Sequence, residues 1–150
     1  MNMYTLYTVL GIVFYVAAAI GAWKMFEKAG EAGWKALIPF YNIYIGFKIS
    51  WNTTYFWIWL VLTLVTGWAA FSAYSPYFYT ASYMGILASV LELVTLLITV
   101  NLCYQLAMSY GHGFWYALGL CFFPYIFTMI IGYGSSRYVG KVGGMFSRGA

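Results

Sequence analysis

Long apolar stretches separated by short polar segments dominate the pattern of this chain. Four of them cover residues 4–23, 55–71, 84–108 and 114–133, and each is close to 20 residues long. At about 1.5 Å of rise per residue, a helix of that length crosses the roughly 30 Å hydrocarbon core of a bilayer. The pattern predicts an all-α, polytopic helical membrane protein with four long transmembrane helices. Pro124, inside the fourth stretch, is expected to kink its helix.

A fifth apolar segment, residues 36–49, is shorter and is flanked by Lys35 and Lys48. Its 14 residues would make about 21 Å of helix, which suits a re-entrant or interfacial helix better than a full crossing. Snorkelling of the two lysines could nevertheless stretch it into a thin crossing. We therefore expect a short helix that enters the membrane either as a re-entrant element or as a thin fifth span.

Composition supports the membrane assignment, since the chain is 64% apolar and 7% charged. Soluble domains carry about 25% charged residues, and a small soluble domain cannot hide so much apolar surface. We expect a single helical membrane domain at residues 1–140 and a flexible tail rich in Gly and Ser at 141–150. The first stretch lacks the basic start and cleavage site of a signal peptide, so we expect it to remain as an anchor.

The distribution of basic residues bears on orientation, because cytoplasmic loops carry an excess of Lys and Arg. If the segment 36–49 does not cross, four long spans put basic residues on both sides in similar numbers. If it does cross, with the N-terminus outside, Lys48 alone lies outside and the other six basic residues are cytoplasmic. The second arrangement agrees better with this excess of basic residues in cytoplasmic loops, so we expect the tail to be cytoplasmic.

The polar turn between the first two apolar segments contains Gly30, Glu31, Gly33 and Trp34. Glycine adopts positive φ without a side-chain clash. We expect Gly30 or Gly33 to end a helical extension of the first span, and Trp34 to anchor the next helix at the membrane interface.

An ionisable residue inside a span is a functional candidate, and Glu92 lies within the third stretch. Thr95 and Thr99 fall on the same helical face as Glu92, whereas Asn101 and Gln105 lie roughly opposite. We predict that Glu92 is protonated or hydrogen-bonded inside the bundle, because a bare charge there is costly. Its expected partner is a threonine hydroxyl, and the candidates are Thr63, Thr66 and Thr128. This polar face either fixes helix packing or forms an ion or substrate pathway.

Little catalytic chemistry is available, because the chain has no aspartate and only one histidine, His112. No cluster with metal-ligand spacing and no phosphate-binding glycine loop is present in the sequence. Cys103 and Cys121 both lie in apolar stretches and are expected to be free thiols. We expect a protein that is not an enzyme, has no cofactor or metal and does not bind nucleic acid.

The run at residues 23–42 resembles a family of small bacterial integral-membrane proteins of unknown function. The matching residues are Trp23-Lys24, Phe26, Lys28-Ala29-Gly30-Glu31, Gly33-Trp34, Ala36-Leu37-Ile38-Pro39 and Tyr41-Asn42. The runs 106–113, 123–126 and 137–140 are also similar to later parts of that family, whereas residues 76–84 depart from its pattern. In some relatives a similar domain lies beside a type I signal peptidase. The resemblance implies a multi-pass protein of the bacterial inner membrane, and not an activity.

Two functions follow as expectations. The first is a structural or accessory subunit of a membrane complex, which lies in the lipid bilayer and binds another membrane protein or itself. The alternative is a small transporter or channel that uses the polar face around Glu92. Small residues cluster in the first span: Gly11, Ala17, Ala18, Ala19 and Gly21. They either allow the close helix packing that the first function requires or reflect the ordinary composition of a span.

Overall fold

The computed structural model of the protein describes residues 2–74 and 81–141, and within these ranges every regular element is helical. Between the second and third apolar stretches the sequence also predicts an uncharged loop at residues 72–82, of which 75–80 lie outside the described residues. The elements, in chain order, are α1 (Met3–Lys28), a 3-10 helix (Gly33–Leu37), α2 (Tyr41–Ser50), α3 (Thr53–Tyr74), α4 (Ala81–Ser109), α5 (Phe114–Phe122) and α6 (Pro124–Tyr133).

Three of these helices, α1, α3 and α4, are long and apolar enough to cross a membrane. They correspond to the first three apolar stretches of the sequence. The polytopic, all-α membrane fold predicted from the hydrophobic pattern is therefore confirmed. The fourth stretch is also helical, but it is divided into α5 and α6.

Helix α1 ends in a Schellman motif centred on Gly30. The Gly30 N–H donates to the Glu27 carbonyl and the Glu31 N–H donates to the Phe26 carbonyl, each at 3.0 Å. Gly30 has a φ of 78°, a left-handed conformation that favours glycine. The prediction that Gly30 or Gly33 ends the extension of the first span is confirmed at Gly30.

The short segment after this turn folds back on itself. The Nζ atoms of Lys35, before α2, and of Lys48, near its end, both lie 2.6 Å from the Glu31 carboxylate. Because one carboxylate contacts both flanking lysines, the segment begins and ends at the same end of the molecule. Of the two predicted alternatives, this arrangement agrees with the re-entrant or interfacial helix and not with a thin fifth span.

Helices α5 and α6 form a hairpin instead of one long helix. His112, just before α5, hydrogen-bonds Ser136, just after α6, at 2.7 Å between Nε2 and Oγ. The Val139 N–H also donates to the carbonyl of Ser109 at 2.8 Å. A continuous helix over this stretch would separate its ends by about 30 Å. The hairpin therefore reaches about halfway across a bilayer and returns to the end from which it started.

The hairpin turns at Phe123 and Pro124. Proline lacks a backbone N–H and disfavours a helical conformation at the preceding residue, and Phe123 indeed has φ −132° and ψ 60°. Pro124 then occupies the first position of α6, where no N–H is needed. The two arms can approach because Gly119 has no side chain, and a Cβ there would overlap the ring of Phe127.

The helices pack in the order α3, α4, α5, α6, α1, and α2 lies against α3 and α4. Helices α1 and α6 approach most closely where Gly21 meets Gly132, because a Cβ on Gly132 would overlap the Gly21 carbonyl. The buried core joins α1, α2, α4, α5 and α6; it is built around Met25, Phe26, Ile45, Ile49, Ala107, Tyr110, Ala117, Leu120 and Ile131. By contrast, residues 2–16, the first half of α1, are all exposed.

The core lies towards one end of the molecule, which we call the polar end. The polar end comprises the turns and helix termini that the contacts above bring together, near Lys28, Glu31, Lys48, His112 and Ser136. Helices α1, α4 and α6 finish there, whereas α3 and α5 begin there. The start of α1 consequently lies at the opposite end from the chain that follows α6.

Candidate functional site

Glu92 lies near the middle of α4 and is exposed on the surface of the chain. Among the described residues, no hydrogen bond or ion pair reaches its carboxyl group. Two of the proposed threonine partners, Thr63 and Thr128, donate instead to the carbonyls of Trp59 and Pro124 within their own helices. The predicted position of Glu92 inside the bundle is therefore wrong for the chain by itself.

The hairpin explains this outcome. The prediction assumed a full-length fourth helix that would run antiparallel to α4 and face Glu92. Helix α5 has nine residues, about 13 Å, and starts beside the end of α4. It therefore covers only the part of α4 nearest the polar end and does not extend to the level of Glu92.

The threonines on the Glu92 face lie at the boundary with α3. The Thr95 hydroxyl donates to the Leu91 carbonyl, and the Thr99 hydroxyl donates to the Thr95 carbonyl, each at 2.9 Å. The indole N–H of Trp59 donates to the Thr99 hydroxyl at 3.2 Å and so connects α3 with α4. Thr99 consequently has a packing role.

The opposite polar face of α4 has one exposed and one buried polar residue. Asn101 is exposed, whereas Gln105 is 6% exposed. The Gln105 side-chain oxygen is buried and has no hydrogen-bond partner within the described part of the chain. The structure thus brings Thr95 and Thr99 close to Glu92 along one helix, but it does not gather the five predicted polar residues into one site.

At the polar end, Glu31 is the centre of an ion-pair network. Its two oxygens contact the Nζ atoms of Lys35 and Lys48, and its own side chain is only 13% exposed. Hydrogen bonds from Lys35 and Lys48 lower the pKa of Glu31, whereas burial opposes them. The hydrogen bond to Glu31 raises the pKa of Lys48, whose side chain is 45% exposed. The carboxylate is therefore held in its charged form and connects α1 to both ends of the short segment.

Gly33 and Trp34 have different roles in the same motif. Gly33 is buried against the indole of Trp23, which a Cβ would overlap, so its requirement is space and not positive φ. Trp34 is half-exposed and stacks on Tyr41 with ring centroids 6.3 Å apart. The anchoring of Trp34 at a membrane interface stays a prediction from the sequence.

Pro39, Phe40 and Tyr41 form a γ-turn at the start of α2. The Tyr41 N–H donates to the Pro39 carbonyl at 2.8 Å, and Phe40 has φ 64° and ψ −44°. This conformation is rare for a residue with a side chain and carries strain. Asn42 contributes its backbone N–H, which donates to the Ile38 carbonyl at 2.9 Å. These motif residues therefore shape the entry into α2.

Two tyrosine hydroxyls join the elements that meet at the polar end. Tyr110 donates to the Met25 carbonyl near the end of α1, and Tyr138 donates to the Ile49 carbonyl in α2, each at 2.6 Å. Burial raises the pKa of both hydroxyls above the ordinary value, so both remain donors. Neither contact is evident from the sequence, although both residues lie in runs that resemble the later parts of the family.

Lys28 also holds the hairpin in place. Its Nζ donates to the carbonyls of Ile131 at 2.6 Å and Gly134 at 2.7 Å, where α6 ends. A cation is favourable at this position because helix C-termini expose unpaired carbonyls. The sequence did not indicate these contacts of Lys28, since the partners are backbone atoms more than 100 residues away.

The described residues provide few groups for catalysis. His112 stacks on Tyr116 at 3.9 Å between ring centroids and bonds Ser136, and burial lowers its pKa. Within residues 2–74 and 81–141, no three His, Cys, Asp or Glu side chains lie close enough together to hold a metal ion. Cys103 and Cys121 are free thiols.

Comparison with known proteins places the sequence in one family. The family model described as "Family of unknown function (DUF5684)" matches residues 34–141, which is most of the chain. No curated protein and no solved structure matches it. The matched region begins at Trp34 and covers α2 to α6, including the hairpin.

Proposed function

The chain belongs to the DUF5684 family of unknown function, and we propose that it is a non-catalytic membrane module that serves as a structural or accessory subunit of a membrane complex. The observation that carries this proposal is the exposed carboxyl group of Glu92 in the middle of a membrane-spanning helix. A polar group in hydrocarbon needs a partner, because lipid tails offer no hydrogen bonds. A second membrane-embedded chain can supply that partner.

The partner is another membrane protein or a second copy of this chain. A carboxyl group accepts hydrogen bonds and, when it carries a proton, also donates one, so Glu92 can pair with a hydroxyl, an amide or the same residue of a second copy. The exposed first half of α1 leaves room beside the bundle for such a helix. Gly21 and Gly132 already mediate close packing between α1 and α6.

The polar end is the cytoplasmic side of the cell membrane, which is the inner membrane in a bacterium. The six described basic residues all lie in the elements of this end: Lys24, Lys28, Lys35, Lys48, Arg137 and Lys141. The positive-inside rule assigns such an end to the cytoplasm. With three crossings, the start of α1 is then outside and the described chain that follows α6 is inside.

Purification in a mild detergent followed by mass spectrometry tests this function. We expect a stoichiometric partner, or a second copy, with the native chain and with Glu92→Gln, which keeps a donor and an acceptor. Glu92→Leu should lose the partner while its melting temperature changes little, because Glu92 is exposed and no hydrogen bond or ion pair within the described residues reaches its carboxyl group. Leu97→Ala, at an exposed apolar position of α4, is the matched control. Retention of the same partner by Glu92→Leu would contradict the proposal.

The alternative is a small transporter or channel, which the broken α5–α6 hairpin favours. Interrupted helices at membrane depth occur where they line cavities or ion pathways. In this case reconstituted protein would support an ion or substrate flux that Glu92→Gln abolishes. The tip of the hairpin, however, is made of Phe122, Phe123, Pro124 and Tyr125 and offers no polar side chain apart from the tyrosine hydroxyl. The accessory function is therefore preferred.

A further inference from the structure

A cavity of about 390 Å³ opens at the polar end, between the end of α1 and the chain that leaves α6. It is lined by Lys28, Gly134, Ser135, Ser136, Arg137 and Tyr138. This volume lies within the usual range of about 300–1,000 Å³ for small-ligand pockets. The cavity is distinct from the Glu92 face and from the ion pairs around Glu31.

The lining of the cavity is cationic. Lys28 and Arg137 contribute two positive charges, and no carboxylate lines the cavity. The nearest acids along the chain are engaged elsewhere, since Glu27 accepts from the Trp23 indole and Glu31 contacts Lys35 and Lys48. Within the described residues, no ion pair neutralises Arg137. The two charges therefore lack an anionic counterpart.

Hydrogen-bond donors accompany these charges. Lys28 uses two donor positions on the carbonyls of Ile131 and Gly134, which fix its ammonium group and leave a third proton. The Ser135 hydroxyl and the Arg137 guanidinium have no acceptor among the described residues. Arg137 also carries the planar donor geometry that matches phosphate oxygens.

The depth of the cavity in the bilayer indicates which class of ligand is present there. Helix α1 has 26 residues, about 39 Å of helix, and Lys28 is its last residue. Since the hydrocarbon core is roughly 30 Å thick, Lys28 reaches the headgroup region when α1 spans the membrane. Phosphate groups of lipids are concentrated at this level, where basic pockets can bind them.

We propose that this cavity binds a phosphate group, with Arg137 as the principal ligand and Lys28 as a fixed second charge. The group comes from the headgroup of an anionic phospholipid or from free phosphate. Residues 134–138, which follow α6, are then held between α6 and the ligand, so the bound phosphate stabilises the end of the hairpin.

The test uses the full chain in nanodiscs of phosphatidylcholine alone or of equal parts phosphatidylcholine and phosphatidylglycerol. Native mass spectrometry counts the retained lipid, and melting temperature is measured with and without inorganic phosphate. We expect preferential retention of phosphatidylglycerol, reduced about fivefold in Arg137→Gln. Lys141→Gln removes an exposed charge at the same end, outside the cavity, and should retain the preference.

The lipid-retention and melting-temperature measurements together identify the source of the phosphate group. Retention of phosphatidylglycerol without a response to inorganic phosphate identifies the lipid headgroup, whereas a rise in melting temperature with inorganic phosphate identifies the free anion. Ser135→Glu places a negative charge in the cavity without altering Arg137 and should abolish either signal. Equal losses in Arg137→Gln and Lys141→Gln, or no loss in Arg137→Gln and Ser135→Glu, would overturn the proposal.

Discussion

The Glu31 carboxylate lies 2.6 Å from the Nζ of Lys48, and this contact joins the turn after α1 to the last part of α2. With Lys35 on the other carboxylate oxygen, the ion pairs close the short apolar segment into a loop that starts and finishes at the polar end. The contact therefore joins the two ends of this segment at the same end of the molecule.

Acid should weaken this contact. The folded-state pKa of Glu31 is below the ordinary 4.5, so its stabilising contribution is fully present above about pH 4.5 and is lost as the pH falls through the lowered pKa. Glu31→Gln should reduce the free energy of unfolding at neutral pH by on the order of 1 kcal/mol, since Lys48 is partly exposed. Melting temperature as a function of pH measures both effects. Lys141→Gln is the control. If the melting temperature of Glu31→Gln falls with acid as steeply as that of the native chain, the ion pairs of Glu31 do not contribute to stability.

The crossing of α1 and α6 depends on glycine. Gly132→Leu should lower the free energy of unfolding by about 1–3 kcal/mol, because the new side chain must displace the backbone of α1 at Gly21. Gly11→Leu, in the exposed half of α1 with no atom near its Cβ position, should have little effect. Thermal unfolding in detergent compares the two variants. Equal melting temperatures would mean that α1 and α6 do not pack in this way.

The strained turn before α2 predicts opposite effects of two substitutions at Phe40. Glycine adopts the observed φ of 64° without the Cβ penalty of about 1–2 kcal/mol, and its greater entropy in the unfolded state offsets part of that gain. Phe40→Gly should therefore raise the melting temperature slightly, whereas the β-branched Phe40→Val should lower it. The side chain is 62% exposed, so lost packing contributes little. The γ-turn is refuted if Phe40→Val is as stable as the native chain.

The hairpin predicts an unusual accessibility pattern in intact cells. After Cys103 and Cys121 are replaced, single cysteines are placed at exposed positions 2, 32 and 139. A membrane-impermeant reagent added outside should label position 2, whereas positions 32 and 139 should react only after the membrane is opened. An even number of crossings would instead put positions 2 and 139 on the same side. That result would exclude the hairpin topology and the proposed orientation.

The fold class could be read from the sequence because hydrophobic length is a local property. Three long helices lie where apolar runs predicted them, and Gly30 ends α1 because only its own backbone conformation and neighbours are involved. The division at Phe123 was also indicated locally, by Pro124. Whether proline produces a kink or a reversal depends on what the next helix can pack against, and here Gly119 and Gly132 allow the return.

The location of the candidate residues required the tertiary structure. Helical spacing correctly placed Thr95 and Thr99 on the Glu92 face, but it could not tell which face another helix would cover. Because the hairpin is short, Glu92 is left exposed instead of enclosed. The contacts of Lys28, Tyr110 and Tyr138 with distant carbonyls also follow from chain reversal. The sequence alone determined which segments are helical and apolar, whereas three-dimensional packing decided which ends meet and which polar groups remain without a partner.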